Sequence, residues 1–263
     1  HINVFPTFEN YVEQFKIFAD LISNKGTLIY CEQDEEVKKI GISARVDIQK
    51  IPYGIPPHQI NDGTSFLVVE GNKKVPLQIF GEHNLMNLNA ARHACESVGI
   101  SALQFYDAIG SFKGASKRLE LVAKNAICAV YKDFAHSPSK LKATTAAVKS
   151  QFPERELIAC MELHTFSSLN EEFLNQYQGA MQSADRAYVY FNPHTIAHKK
   201  LKPISIEQVK TAFAGSNLEV YTDSKLLLDD LLSMNWENKN LLMMSSGNFD
   251  GIDFKQLGQS ITK

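Results

Sequence analysis

Ile127-Cys128-Ala129-Val130-Tyr131-Lys132-Asp133-Phe134-Ala135-His136-Ser137-Pro138 is the stretch that decides the fold. Its apolar first half reads as a strand inside the run 126–134. It ends in polar and titratable groups, and Pro138 then stands where the first turn of a helix would tolerate a missing N–H. A helical pattern follows over 139–151. The same alternation continues down the chain. Strand-like apolar runs occur at 156–163, 186–192, 218–222 and 240–246, with helical patterns at 168–183, 205–214, 224–235 and 253–262. Five strand–helix alternations predict an α/β domain, a mainly parallel sheet with helices on both faces.

In such sheets ligands bind beyond the carboxyl ends of the strands, so the residues after each run are the ones to read. They are Asp133 to Pro138, then Glu162-Leu163-His164-Thr165-Phe166, then Asn192-Pro193-His194, then Ser245-Ser246-Gly247-Asn248-Phe249-Asp250. Three of the eight histidines fall on this one edge, which points to a polar site there. Asp133 reads either as a cap on the next helix or as a carboxylate accepting hydrogen bonds from a ribose. His136 leads into the helix that Pro138 opens. His194 and His198 sit in a proline-containing loop and read as surface residues.

The first part of the chain is mixed. Residues 7–22 carry apolar groups at helical spacing behind Thr7, a plausible N-cap. Strands are expected at 27–31, 45–53, 64–70 and 74–80, and helices at 84–98 and 102–110. Asn84 stands where the first of these begins, as an N-cap would. Asn87 follows one turn on, and an amide pair so placed could read an adenine edge. Gly110 to Lys117 is the candidate hinge, and just behind it Lys117-Arg118 could bring a cation to a phosphate.

With 27 basic against 29 acidic residues, the chain lacks the basic excess of a nucleic-acid binder. Four dispersed cysteines form no CxxC pair and fit a reducing compartment. There is neither a signal peptide nor an apolar run long enough to insert in a membrane, so a cytoplasmic location is expected. The sequence opens on His1-Ile2 rather than Met, and a start inside a longer protein is expected.

Together the segments resemble the Mur ligase family. His83-Asn84-x-x-Asn87 with Ala90-Ala91 and Gly99-Ile100 is similar to the closing helix of that family's central domain. Phe112-Lys113-Gly114 with Lys117-Arg118-x-Glu120 is similar to the entrance of its C-terminal domain. Tyr131 to Pro138 resembles its Asp-Tyr/Phe-Ala-His-x-Pro motif, and Ser245-Ser246-Gly247-Asn248-Phe249-x-Gly251 its late Ser-Asn-Gly-Gly-Phe-x-Gly segment. His1-Ile2-x-Val4-Phe5 resembles the Asp-His-x-x-x-Phe stretch behind the nucleotide-binding half. The order and spacing fit over essentially the whole chain.

The resemblance implies the rear of a central ATP-binding domain over 1–110 and a Rossmann-like C-terminal domain over 111–263. It implies a ligase that uses ATP and Mg2+ to activate the carboxylate of UDP-N-acetylmuramate as an acyl phosphate, which an amino acid or murein peptide then attacks. Phe134-Ala135-His136 and Val4-Phe5-Pro6 look most like the branch whose amine is the tripeptide L-Ala-γ-D-Glu-meso-diaminopimelate, a peptidoglycan-recycling activity. The branch that adds L-alanine is the alternative, and a non-catalytic binding module a third reading. Carried over, His1 matches a magnesium ligand, Asn84 and Asn87 adenine contacts, Arg118 a phosphate contact and Asp133 a ribose contact. His136 and His164 would lie near the reacting groups, and His164, Ser246 and Asn248 near the second substrate. Ser137, Thr165, Ser246 and Asn248 depart from the family pattern and bear on the amine. No Gly-Lys dipeptide occurs, so the 263 residues hold no G-x-x-x-x-G-K-[ST] loop. On that ground they are expected to bind ATP weakly and to be inactive alone. Nothing in the sequence speaks to oligomeric state.

Overall fold

The computed structural model describes residues 4–215 and 217–263, which fall into two compact units, one ending at Lys113 and the other spanning Gly114–Lys263. His1, the expected metal ligand, lies outside the described residues.

The first unit runs α1 (Phe8–Asp20), β1 (Thr27–Cys31), α2 (Glu35–Ser43), β2 (Gln49–Tyr53), β3 (His58–Asn61), β4 (Thr64–Val69), β5 (Lys73–Leu77), α3 (Glu82–Ser97) and α4 (Ala102–Ile109). β1 and β2 pair in parallel, and β3, β4 and β5 form an antiparallel meander. Thr7 caps α1 as its sequence suggests, its hydroxyl accepting the Asn10 N–H at 3.1 Å. The strand expected over 45–53 is shorter. The chain must first turn out of α2, which the sequence reading missed, and Arg45 pins that turn by donating to the carbonyls of Asp20 and Ile22. Asn84 is not an N-cap. α3 starts at Glu82 behind Gly81, whose φ of 89° suits glycine, and the Asn84 amide instead donates to the Phe80 carbonyl at 2.9 Å.

The second unit runs β6 (Glu120–Lys124), β7 (Cys128–Asp133), α5 (Pro138–Gln151), β8 (Glu156–Leu163), α6 (Glu171–Leu174), β9 (Arg186–Phe191), α7 (Pro193–His198), α8 (Ile206–Phe213), β10 (Leu218–Tyr221), α9 (Ser224–Ser233), β11 (Lys239–Met244) and α10 (Phe254–Ile261). Its six-stranded sheet has the order β10-β9-β8-β11-β7-β6. All neighbours are parallel except β6, which pairs antiparallel with β7. The five expected strands are all present. β6 escaped the sequence reading because it is a half-exposed edge with a register shift between Leu121 and Ala123, so its pattern is weak.

Alternate residues of each central strand face opposite ways. Cys128, Val130, Ile158, Cys160, Leu241 and Met243 pack against Leu227 and Leu231 of α9 and Leu257 and Ile261 of α10. On the other side α5 lies on β8 and β11. The helix expected over 168–183 is cut to α6 and one 3-10 turn. Gly179 has a φ of 68°, which ends helical winding. Tyr177 is drawn inward to stack on Phe213, ring centroids 4.9 Å apart.

Asp185, just before β9, ties α5 to the sheet. Partial burial would raise its carboxyl pKa, but the Leu157 N–H at 2.7 Å and Lys149 Nζ at 2.8 Å outweigh that and hold it below its ordinary value. A depressed carboxylate stabilises the fold above its unfolded value of about 3.9 and loses that contribution as pH falls through the lower folded value. Urea midpoints between pH 7 and pH 3 should therefore fall less steeply at the acid end in Asp185→Asn than in the wild type. Identical acid limbs would remove Asp185 from the acid response.

Candidate functional site

β7, β11 and β8 are neighbours at the centre of the parallel sheet, so their carboxyl ends open side by side. Two polar clusters form there. The first is built on Asp133, which is 8% exposed. Its carboxylate accepts the backbone N–H groups of Leu119 at 2.5 Å and Ala135 at 2.6 Å. Leu119 and Lys117 both have left-handed backbones, φ 45° and 56°. Such non-glycine conformations cost about 1–3 kcal/mol each and persist where neighbours enforce them. Here Asp133 holds Leu119, and Glu120 holds Lys117 by accepting its N–H at 2.7 Å. The resulting strap sets the Arg118 guanidinium over the Phe134 ring, 5.2 Å from its centroid. Asp133 is thus not a helix cap: the N-cap of α5 is Ser137, whose side chain makes no capping bond.

His136 stands beside this strap. Its Nδ1 lies 2.8 Å from the Phe134 carbonyl, which can only accept, so Nδ1 carries the proton and Nε2 keeps its lone pair. Burial pushes the imidazole pKa below its ordinary value. The Phe134 carbonyl opposes this, and Lys140 and Arg118 add to it. The Tyr177 hydroxyl donates to the His136 carbonyl at 2.6 Å and fixes the turn from behind. The result is a neutral imidazole with an acceptor nitrogen next to a cation.

The second cluster centres on Glu162, 4% exposed near the end of β8. One carboxylate oxygen, Oε2, accepts the Ser245 hydroxyl and the Phe249 N–H, the latter at 2.9 Å. The other, Oε1, lies 3.5 Å from Nδ1 of His164. Gly247 closes the cluster, its N–H donating to Ser245 Oγ at 2.6 Å. A Cβ at Gly247 would fall 2.7 Å from Glu162 Oε2 and 2.9 Å from two atoms of the His164 ring. The hydroxyl oxygen of Ser246 is buried with no hydrogen-bond partner among the described residues. Asn248 is exposed and spends its side-chain oxygen on the Gly251 N–H at 3.3 Å.

The residues expected from sequence therefore fall into separate sets. Asp133, Arg118 and His136 come together in one cluster of the second unit, and His164, Ser246 and Asn248 belong to the loops of the other. Asn84 and Asn87 lie on α3 in the first unit. That unit has its own cavity of about 370 Å³ at the carboxyl ends of β1 and β2, lined by Tyr53, Gly54, Asn89, Arg92 and Tyr106 among others but by neither Asn84 nor Asn87. Asn89 joins its wall to β2 by donating to the Gly54 carbonyl at 3.0 Å. Sequence reasoning placed Glu162 and Gly247 at the strand ends but gave neither a role. The available signal was a lone carboxylate near the end of the apolar run Leu157 to Leu163, an expensive place for a charge without a structural or chemical reason. Among the described residues no group of three or more His, Cys, Asp or Glu could hold a metal ion, and none of their helices is long and apolar enough to cross a membrane.

Comparison with known proteins now adds the family. Residues 1–95 match the Mur ligase middle domain. Over 200 residues the chain is 30% identical to the UDP-N-acetylmuramate–L-alanine ligase of Caldicellulosiruptor bescii, an alignment covering 72% of this chain and 44% of that protein. The chain thus spans less than half the length of that relative. In fold it is similar to the MurF ligase of Thermotoga maritima in complex with ADP, with TM-score 0.70 and 13% identity over 98% of this chain and 58% of that one. It is also similar to a murein peptide ligase from Psychrobacter arcticus, with TM-score 0.61 and 17% identity over 95% of this chain and 54% of that one. At such identities the structures speak to fold alone, and ligases of different names share it. Residues 1–95 belong to the Mur ligase middle domain family, and the α/β fold of the whole chain matches the middle and C-terminal domains of Mur ligases.

Proposed function

We propose that this chain is part of a cytoplasmic, ATP-dependent ligase that joins UDP-N-acetylmuramate to L-alanine. The observation that carries the reading is the pair of polar clusters on adjacent strand ends. One presents a cation and a neutral imidazole acceptor, the other an exposed imidazole backed by a buried carboxylate. L-alanine replaces the tripeptide expected from the local motifs, because the curated relative that is 30% identical is a UDP-N-acetylmuramate–L-alanine ligase. The motif Phe134-Ala135-His136 keeps the tripeptide as a second reading.

In this reading the γ-phosphoryl of ATP passes to the muramate carboxylate and ADP leaves. The amine nitrogen then forms the amide bond as phosphate departs. Such transfers gain most from positioned positive charge. Arg118, held over Phe134, would face phosphate oxygens and Asp133 would meet the ribose; the adenine contacts of Asn84 and Asn87 rest on the sequence resemblance alone. His164 and Ser246, whose buried hydroxyl has no partner, would meet the second substrate. His136 Nε2 would accept a proton or hydrogen bond at the reacting centre. The described residues offer no set of ligands for magnesium, so the proposed role of His1 rests on the sequence resemblance, and no step is routed through a metal.

The intact gene product carrying this chain should release ADP and phosphate when given ATP, UDP-N-acetylmuramate and L-alanine, and the tripeptide should be the poorer amine. A preference for the tripeptide would restore the recycling assignment. Turnover with neither amine, alongside retained ATP binding, would favour a binding module and sink the ligase reading.

A further inference from the structure

Glu162 is the group in the second unit whose chemistry is least explained by packing. A carboxylate this buried normally has a cation beside it. Among the described residues the one base in ion-pair range is His164, its Nδ1 3.5 Å from Oε1. Oε2 is committed to the Ser245 hydroxyl and the Phe249 N–H. Gly247 leaves no room between the carboxylate and the imidazole for any side chain of its own. Glu162 is thus walled off from a ligand, whereas the His164 side chain is 39% exposed. With Nδ1 turned to the carboxylate, the imidazole has Nε2 on its far side.

We propose that Glu162 and His164 act as a dyad: Glu162 is a positioning residue that holds Nδ1–H, and His164 Nε2 removes a proton from the ammonium group of the incoming amine. This rests on the ligase reading above. The ammonium N–H bond breaks, its proton goes to Nε2, and the electron pair stays on nitrogen. That pair forms the C–N bond at the acyl-phosphate carbon, the carbon–oxygen bond to phosphate breaks with its electrons leaving on phosphate, and the departing phosphate takes up the second proton that the nitrogen sheds as the amide forms. The imidazolium so formed faces an anion already in place. This is the logic by which a buried carboxylate fixes the tautomer of a catalytic histidine and stabilises its charged form.

Two measurements decide it. In the 263-residue chain, nitrogen-15 spectra of the His164 ring should show the proton on Nδ1, and Glu162→Gln should move the population toward the Nε2–H tautomer. A proton on Nε2 in the wild type, or a tautomer unchanged by Glu162→Gln, overturns the dyad. The wild-type spectrum stands even if the variant folds poorly. In the intact gene product, Glu162→Gln should lower amide formation at least about tenfold, while hydroxylamine, already unprotonated at neutral pH, traps the acyl phosphate at the wild-type rate. An equal loss with both nucleophiles overturns the proposal. Absence of any acyl phosphate in the wild type refutes the ligase reading instead, and the spectra still judge the dyad.

Discussion

Asp133→Ala should weaken ATP binding by about ten- to a hundredfold and destabilise the second unit as well. The two effects have one origin. The carboxylate accepts the N–H groups of Leu119 and Ala135, and its removal leaves both without that acceptor in a place where Leu119 is 8% exposed. A buried donor left unmade costs about 1–3 kcal/mol. The left-handed Leu119 then loses the acceptor that holds its N–H, and Arg118 is expected to drift from its seat over Phe134. Calorimetry with ATP on the intact gene product and urea unfolding of the same variant measure the two losses. Arg118→Ala separates them, since it should weaken ATP without comparable destabilisation. An unchanged ATP affinity in Asp133→Ala would show that neither the carboxylate nor its strap serves the nucleotide.

Gly247→Ala should damage the second cluster while sparing the first. The added methyl falls 2.7 Å from a carboxylate oxygen that is itself tied down, and 2.9 Å from the His164 ring. Glu162 cannot retreat cheaply, since it would have to give up the Phe249 N–H or the Ser245 hydroxyl, so the partly exposed His164 ring is the group that moves. Overpacking of this kind costs about 1–3 kcal/mol. Turnover with the amine should fall at least about tenfold as His164 is displaced, and the dissociation constant for ATP should stay within about twofold. Wild-type amine kinetics in Gly247→Ala would place the reacting amine away from this cluster.

The five parallel strands and most helix boundaries of the second unit were legible because each element carries its own signal. Cys128 to Tyr131 and Leu157 to Met161 are apolar runs buried on both faces, and such a run has few alternatives to a central parallel strand. Where local and tertiary preferences diverge, the sequence reading failed. The pattern over 168–183 is helical in period, yet Tyr177 stacks on Phe213 and Gly179 takes a left-handed turn, which cuts the helix short. Asn84 looks like a cap in sequence, but Gly81 takes that place because the chain enters α3 with a positive φ.

The site divides the same way. The amino-acid sequence by itself determined which polar residues stand at the carboxyl edge, since strand alternation and strand length follow from local periodicity. Arg118, by contrast, reaches Asp133 and His136 through the Leu119 N–H that Asp133 accepts and through the antiparallel pairing of β6, the edge strand that the sequence reading missed, with β7. The tertiary structure alone decided that Glu162, Ser245, Gly247 and His164 form one cluster. β8 and β11 are neighbours in the sheet though some eighty residues separate Glu162 from Ser245. Nothing local in either segment encodes that pairing. It follows from the packing of α5, α9 and α10 on the two faces of the sheet, which sets β11 between β7 and β8 and so brings a buried carboxylate against a glycine that must stay bare.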